Sequence, residues 1–382
     1  MAPTTNAPSV HRPRLSVHRL PMAHPGDLSA LEALLDEGAL AAQDIVAVIG
    51  KTEGNGGVND FTRGYFTQSL MALLAARTGR HAKDLLRELP CVLSGGTEGV
   101  LSPHYVVFAR SGRPSENTGH AAQAALAIGT AMSPAVPPQA IGRWAQVRSV
   151  ADAVRRAMRD AGIARAEDVV FVQVKGPCVT AARARMAQEQ GHGVRTAHAG
   201  QSMAFSRAAG AFGVALALGE LADDPALEQA LLQDFALGSA RASVSSGVEV
   251  EVNEVIVLGH STLWEGPLRM RSVPMRDALD IAAVADVLAQ LGLQAAPQLP
   301  PEQTHRVAAA FVKCEPDRQG SVRGARHTML DDTDIDAQRH IRGAVGALVA
   351  GVLGDTRIFV SGGAEHQGPA GGGLVAVIAA LA

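Results

Sequence analysis

The chain has 382 residues, enough for one large domain or two to three smaller ones, and its net charge of −3 comes without a long basic run. That balance argues against nucleic acid or an anionic membrane as a partner. Apolar residues make up 47% of the chain but aromatics only 3%, so a sizeable core must be built from Ala, Val, Leu and Ile.

The first nineteen residues, MAPTTNAPSVHRPRLSVHR, contain no leader-type apolar segment, and no apolar run reaches about 18 residues. Cys91, Cys178 and Cys314 are odd in number and far apart, which suggests reduced thiols. These features predict a soluble, cytoplasmic protein.

The run DIVAVIGK predicts a strand buried on both faces and ending at Lys51. GKTEGNGG follows, but a phosphate loop needs a glycine five residues before Gly50, and Ile45 stands there. Next come a helical stretch opened by Arg63, the turn Ser94-Gly95-Gly96-Thr97-Glu98 and the apolar run SPHYVVFA. After the polar stretch ARSGRPSENTGH, residues 147–162 are amphipathic and predict a helix ended by Gly162. VVFVQVK is a second strand, ending at Lys175. It is followed by a helical stretch with Arg207, the turn Ser245-Ser246-Gly247-Val248-Glu249 and the run VNEVIVLG. After the Gly-Pro break in GHSTLWEGPL, residues 275–292 predict a counterpart helix. VAAAFVK then ends at Lys313, Arg342 opens a third helical stretch, Ser361-Gly362-Gly363-Ala364-Glu365 forms a third turn, and LVAVIAAL follows. GPAGGG at 368–373 is not a dinucleotide fingerprint, because nine residues are too few for a βαβ unit.

The order lysine, arginine, Ser-Gly turn, strand thus occurs three times. The lysines are 124 and 138 residues apart and the serines 151 and 116, periods of domain size rather than of a solenoid. They predict an α/β chain of three similar units, 1–112, 121–258 and 264–382. Taken singly, Lys51, Lys175 and Lys313 are ordinary strand ends. As a set they predict convergence near a pseudo-threefold axis, where mutual repulsion among cations lowers a lysine pKa and makes a usable base for a serine hydroxyl. Arg63, Arg207 and Arg342, read as helix-start residues, are unfavourable at the positive end of the helix dipole, which suggests forked binding to an anion or to carbonyls. Ser94, Ser245 and Ser361 are either plain turn residues or, with the N–H groups after them, a cradle for a carbonyl and its oxyanion. Glu98, Glu249 and Glu365 are expected to orient the lysines. No histidine recurs in all three units.

GKTEGNGGVNDFTRGY, VLSGGTEGVLSPHYVVFAR, VQVKGPCVT, VRGARHTMLDDTDID and VSGGAEHQGPAGGG resemble the cyanuric acid hydrolase/barbiturase family of cyclic amide hydrolases. The resemblance runs from PMAHPGD at 21–27 to the C-terminus. It implies three similar α/β units in a Toblerone-like arrangement around one central active site, and a serine nucleophile in the middle unit: Ser245, with Lys175 as its base. The residue pattern alone leaves the roles of the three Ser-Lys pairs, with Lys51 and Lys313 in the other two, interchangeable. Arg63, Arg207, Arg342 and the pairs Ser94-Gly95, Ser245-Ser246 and Ser361-Gly362 would bind substrate. The family further implies no organic cofactor, a homotetramer, and a structural divalent cation (Mg²⁺ or Ca²⁺) at Glu315, Ala364, Gln367, Gly368, Pro369 and Gly372. Cyanuric acid opened to carboxybiuret, and thence biuret and CO₂, is the expected reaction. Barbituric acid opening and non-catalytic binding of a small planar anion are the alternatives.

Overall fold

The structure, a computed structural model, describes residues 11–115 and 119–381. The first ten residues, 116–118 of the polar stretch at 109–120 and the last residue therefore lie outside the described residues.

The first set of elements is β1 (Leu15–Pro21), α1 (Ser29–Asp36), β2 (Ile45–Thr52), α2 (Thr62–Thr78), α3 (Ala82–Glu88), β3 (Cys91–Gly95) and β4 (His104–Arg110). The second is β5 (Ala125–Met132), α4 (Trp144–Ala161), β6 (Val169–Pro177), α5 (Ala181–Glu189), α6 (Ala199–Ala217), β7 (Ala242–Gly247) and β8 (Glu254–Ser261). The third is β9 (Leu268–Met275), α7 (Ile281–Ala289), the short α8 (Pro301–Thr304), β10 (Val307–Cys314), a small hairpin of β11 (Ser321–Val322) and β12 (Ala325–Arg326), α9 (Ala337–Leu353), β13 (Phe359–Ser361) and β14 (Gly373–Ala380).

Each set makes one four-stranded sheet, ordered β1-β4-β2-β3, β5-β8-β6-β7 and β9-β14-β10-β13. In all three the lysine strand is parallel to the serine strand and antiparallel to the last strand. The register also repeats: Lys51 lies opposite Ser94, Lys175 opposite Ser245 and Lys313 opposite Ser361.

The lysine strands are apolar on both sides because each separates two cores. Ala47 and Ile49 of β2 join a central cluster, while Ile45 and Val48 face α1, α2 and α3. In β10, Ala309 and Phe311 face the centre and Ala310 and Val312 face α7 and α9. The central cluster draws on all three sheets. Phe311 sits 6.4 Å from Phe108 and 5.4 Å from Phe171, ring centre to ring centre. Helices cover the outer faces, and the lysines and serines are held on a rigid frame. No helix among the described residues is long and apolar enough to cross a membrane.

Three expectations need correction. The helix expected over 275–292 begins only at Ile281. Met275 ends β9, and the Asp280 carboxylate caps the helix by accepting from the Ala283 N–H and, at 2.9 Å, from the Arg276 N–H. Arg207 and Arg342 do not open their helices. α6 starts at Ala199 behind the His198 cap and α9 at Ala337 behind the Asp336 cap, so the dipole argument applies only to Arg63. The serines are strand residues rather than turn residues. The helix expected over 147–162 is present as α4, ended by Gly162 in the left-handed region.

Candidate active site

One cavity of about 510 Å³ gathers Arg63, Arg207 and Arg342 with Ser94, Ser245 and Ser361 and their followers Gly95, Ser246 and Gly362. The three arginines come from one helix of each set and the serines from the end of one strand of each sheet.

The lysines do not converge there. Lys175 lines this cavity, whereas Lys51 and Lys313 lie behind it. Nζ of Lys51 donates to Oγ of Ser94 at 3.2 Å and to the Gly95 carbonyl at 3.1 Å. Nζ of Lys313 donates to Oγ of Ser361 at 3.0 Å and to the carbonyls of Gly362 at 2.8 Å and Val244 at 2.7 Å. Lys175, in contrast, donates to the Leu93 carbonyl at 2.8 Å and pairs with Glu249 at 2.7 Å. Its neighbour Ser245 instead has Oγ 3.4 Å from Oγ of Ser361.

The glutamates do not serve the lysines as a group. Each clamps an arginine from another set of elements. Glu98 takes Nε and Nη2 of Arg342 at 2.9 and 2.6 Å, Glu249 takes Nε and Nη2 of Arg63 at 2.6 and 3.2 Å, and Glu365 takes Nε and Nη2 of Arg207 at 2.7 and 2.6 Å. These are forked, charge-assisted pairs. Glu249 alone also reaches a lysine. For Arg207 and Arg342 the clamp occupies Nε and Nη2 and leaves Nη1 for a ligand. Arg63 is tied further, with Nη1 3.3 Å from Asp60.

Two glycines make room for the clamps. Gly96 (φ +85°) and Gly363 (φ +69°) are in the left-handed region, and a Cβ there would come within 2.5 Å of the Arg342 Nη2 and the Arg207 Nε respectively.

Burial is the first cause of the lysine shifts, ahead of the cation repulsion expected from the sequence. Burial, followed by Arg342, holds Lys51 well below its ordinary value against the pull of Glu98. Burial and then Arg207 push Lys313 down to about 7. Burial also lowers Lys175, with Glu249 opposing and Arg63 assisting. Burial works against ionisation of Glu249 and Glu365, but Lys175 and Arg63 hold the first at about 2 and Arg207 holds the second at about 2.

Several cavity residues were not singled out from the sequence. Asn55, Gly56 and Gly57 belong to the GKTEGNGG stretch, whose residues carry no individual role in the sequence pattern, and Asp334, Asp336 and Gln338 approach from the start of α9. The Gln338 amide oxygen accepts the Gly363 N–H at 2.7 Å. Its place four residues before Arg342, on the same helix face, was the available signal.

At the expected cation site, Oε1 of the buried Glu315 carboxylate has no hydrogen-bond partner, while Oε2 accepts from Arg318 at 2.6 Å. An orphaned buried carboxylate oxygen suits a hard cation. The Gln367 side chain does not fit the expected role. Its oxygen accepts the Val244 N–H at 2.6 Å and its nitrogen donates to the Gly363 and Glu365 carbonyls, so only its backbone carbonyl can serve.

Residues 16–380 match the family model described as "Amidohydrolase ring-opening protein". The cyanuric acid amidohydrolase of Azorhizobium caulinodans is 49% identical over 368 residues, covering 96% of this chain and 99% of that protein. The cyanuric acid amidohydrolase of Pseudomonas sp. (strain ADP) is 45% identical over 369 residues, covering 96% and 99%. Among solved structures, a cyanuric acid hydrolase described as an evolutionary innovation by structural concatenation superposes with a TM-score of 0.91 at 44% identity, over 97% of this chain and 100% of that one. The A. caulinodans enzyme superposes with a TM-score of 0.88 at 48% identity, over 97% and 100%. With the match spanning nearly every residue and the site built from the motifs that carry it, the chain belongs to the ring-opening amidohydrolase family.

Proposed function

We propose that this protein hydrolyses cyanuric acid by opening its ring. The observation that carries the reading is the cavity lined by three arginines and three serine-led backbone pairs, one of each from every set of elements. Cyanuric acid is a planar ring with three alternating carbonyl and N–H groups, so it presents the same face to each set. The names of the relatives support the same substrate. The three sheets act as three units about a pseudo-threefold axis, with boundaries near 1–112, 121–258 and 264–382. Their common strand order and register support this.

Ser245 is the nucleophile and Lys175 its base. Lys175 is the lysine of the three that lines the cavity, and it faces Ser245 across the strand pair. Neutral Lys175 takes the Ser245 hydroxyl proton as Oγ attacks a ring carbonyl. The Nη1 ends of Arg207 and Arg342 and the backbone N–H groups after the serines hold the oxyanion. The ring C–N bond then breaks, Lys175 returns the proton to the departing nitrogen, and a carbamoyl ester remains on Ser245. Water, deprotonated by the same lysine, releases carboxybiuret, which loses CO₂ to give biuret. Holding a planar ring by several donors accounts for much of the rate.

A divalent cation bound by Glu315 and the backbone carbonyls of Ala364, Gln367, Gly368, Pro369 and Gly372 would neutralise the buried Glu315 charge and brace the loop that carries Glu365. Its role is structural. The protein works as a homotetramer in the cytoplasm, and the three free, buried cysteines are compatible with a reducing compartment. Light scattering in solution tests the assembly.

The deciding assay supplies cyanuric and barbituric acid side by side to the wild type, Ser245→Ala and Lys175→Ala. Biuret and CO₂ from cyanuric acid, lost in both variants, is the expected result. Preference for barbituric acid, or tight binding without turnover, overturns the reading.

A further inference from the structure

Lys175 stands in a wall between two cavities. Its own side chain lines the cavity that holds Ser245, while Glu249 and Glu254 line a second cavity of about 460 Å³, to which Gly64, Thr67 and Cys91 also contribute. Glu254 on β8 lies directly opposite Lys175 on β6 in the antiparallel register, so the two side chains leave the same face of the sheet. Glu254 is buried, and its Oε2 accepts the Cys91 N–H at 3.1 Å.

The other two sheets have nothing equivalent. His104 stands opposite Lys51 and Leu374 opposite Lys313. Leu374 carries no titratable proton. Burial holds His104 down at about 4, and its Nδ1 is committed to the Ser102 carbonyl at 2.8 Å. A carboxyl across the strand from the lysine is thus peculiar to the middle sheet.

A general base must begin neutral, yet the 2.7 Å pair with Glu249 favours the Lys175 ammonium. We infer that Glu254 takes the proton that Lys175 must shed before catalysis, and that the second cavity connects Glu254 to solvent. In this step one N–H bond of the Lys175 ammonium breaks, its electron pair stays on Nζ, the proton passes by way of the Glu249 carboxylate 2.7 Å away, and an O–H bond forms on the Glu254 carboxylate, which lines the same cavity as Glu249. The charge of the pair as a whole is conserved, since ammonium and carboxylate become amine and carboxylic acid. Glu254 acts through Lys175 and is a positioning residue for the proton.

Burial raises Glu254 to about 7, with Lys175 opposing, which is the range for passing a proton near neutrality. Lys175, Glu249 and Cys91 act on Glu254 directly, Lys83 lies at the cavity wall, and Arg63, Cys178 and Arg183 face the cluster from the Lys175 and Glu249 side. Burial pushes the two thiols up to about 12 and about 11, so they stay neutral. Lys175, Glu249 and Glu254 titrate as one cluster, and the acid limb of the rate profile belongs to that cluster.

This inference rests on Lys175 being the base, so the test includes Lys175→Ala. The kcat and KM for cyanuric acid are measured from pH 5 to 10 for the wild type, Glu254→Gln, Glu254→Asp and Lys175→Ala. Glu254→Gln is expected to lower kcat at pH 7 by about tenfold or more and to move the acid limb upward by about one pH unit, with KM within about twofold. Glu254→Asp should restore the limb. A Glu254→Gln enzyme with the wild-type limb and kcat overturns the inference alone. Turnover retained in Lys175→Ala overturns the functional reading beneath it. If Glu254→Gln fails to fold, Gly64→Phe decides. Gly64 lines the second cavity and a Cβ there meets nothing within 4 Å, so a side chain added at this position starts from open space on the cavity wall. Reduced kcat at unchanged KM supports the route, and wild-type kcat overturns it.

Discussion

Nη2 of Arg342 lies 2.6 Å from Oε1 of Glu98, a residue 244 positions earlier in the chain. Arg63 with Glu249 and Arg207 with Glu365 repeat the relationship, so the first sheet's arginine is held by the second sheet's glutamate, the second's by the third's, and the third's by the first's. The clamps close a ring around the cavity and fix all three guanidinium planes before a substrate arrives. Preorganisation of that kind separates a binding site from a collection of cations.

Breaking one clamp should therefore cost stability as well as affinity. Glu98→Gln leaves a buried guanidinium without its counter-charge, a change worth about 3–5 kcal/mol. Urea unfolding of Glu98→Gln, Arg342→Gln and the double variant measures it. The double variant should lose less than the sum of the singles. Additive losses would show that the pair does not act as a unit.

Serine substitutions should divide by role. Ser245→Ala is expected to cut kcat by about 10⁴-fold or more, since it removes the nucleophile. Ser94→Ala and Ser361→Ala should instead raise KM and keep most of kcat. Steady-state kinetics on the three variants checks this, and equal losses of kcat would place the nucleophile elsewhere.

Lys313 binds Ser361 and two carbonyls with its buried ammonium nitrogen. Lys313→Met strands those acceptors, at about 1–3 kcal/mol for each one left without a partner. Thermal unfolding should register a large loss. The kcat of the surviving folded enzyme should stay within about tenfold of wild type, because Lys313 does not line the cavity.

Acid should open the same ring. Glu249 and Glu365 have folded-state pKa values depressed to about 2 from the ordinary 4.5. A depressed carboxyl contributes stability that is complete above its unfolded value and disappears as pH falls through its folded value. Stability should decline between about pH 4.5 and pH 2 through these two residues. In Glu365→Gln the decline should be shallower, as measured by the pH dependence of unfolding free energy.

Removing divalent cations should lower the melting temperature of the wild type and restore little of it on adding Na⁺, whereas Mg²⁺ or Ca²⁺ should restore it. Glu315→Gln should melt at the same temperature with and without chelator. A wild-type protein indifferent to chelator would remove the cation from the proposal.

Much of the site was written locally. A β-branched run buried on both faces, ending on lysine and followed by an arginine-bearing helix and a serine, is a short-range pattern, and its three copies were visible without coordinates. The sequence by itself determined the α/β class, the lysine strands and the set of arginines and serines around one pocket, because strand burial and helix amphipathicity are encoded in nearest neighbours. It misassigned what depends on distance. The glutamates were expected on lysines and are found on arginines from other sheets. The three lysines were expected at one centre, yet Lys175 alone reaches it. Glu254 drew no notice at all. Those outcomes depend on how three sheets are turned toward one another around a shared core, since facing residues come from segments more than a hundred positions apart and no periodicity along the chain records which side chain will meet which.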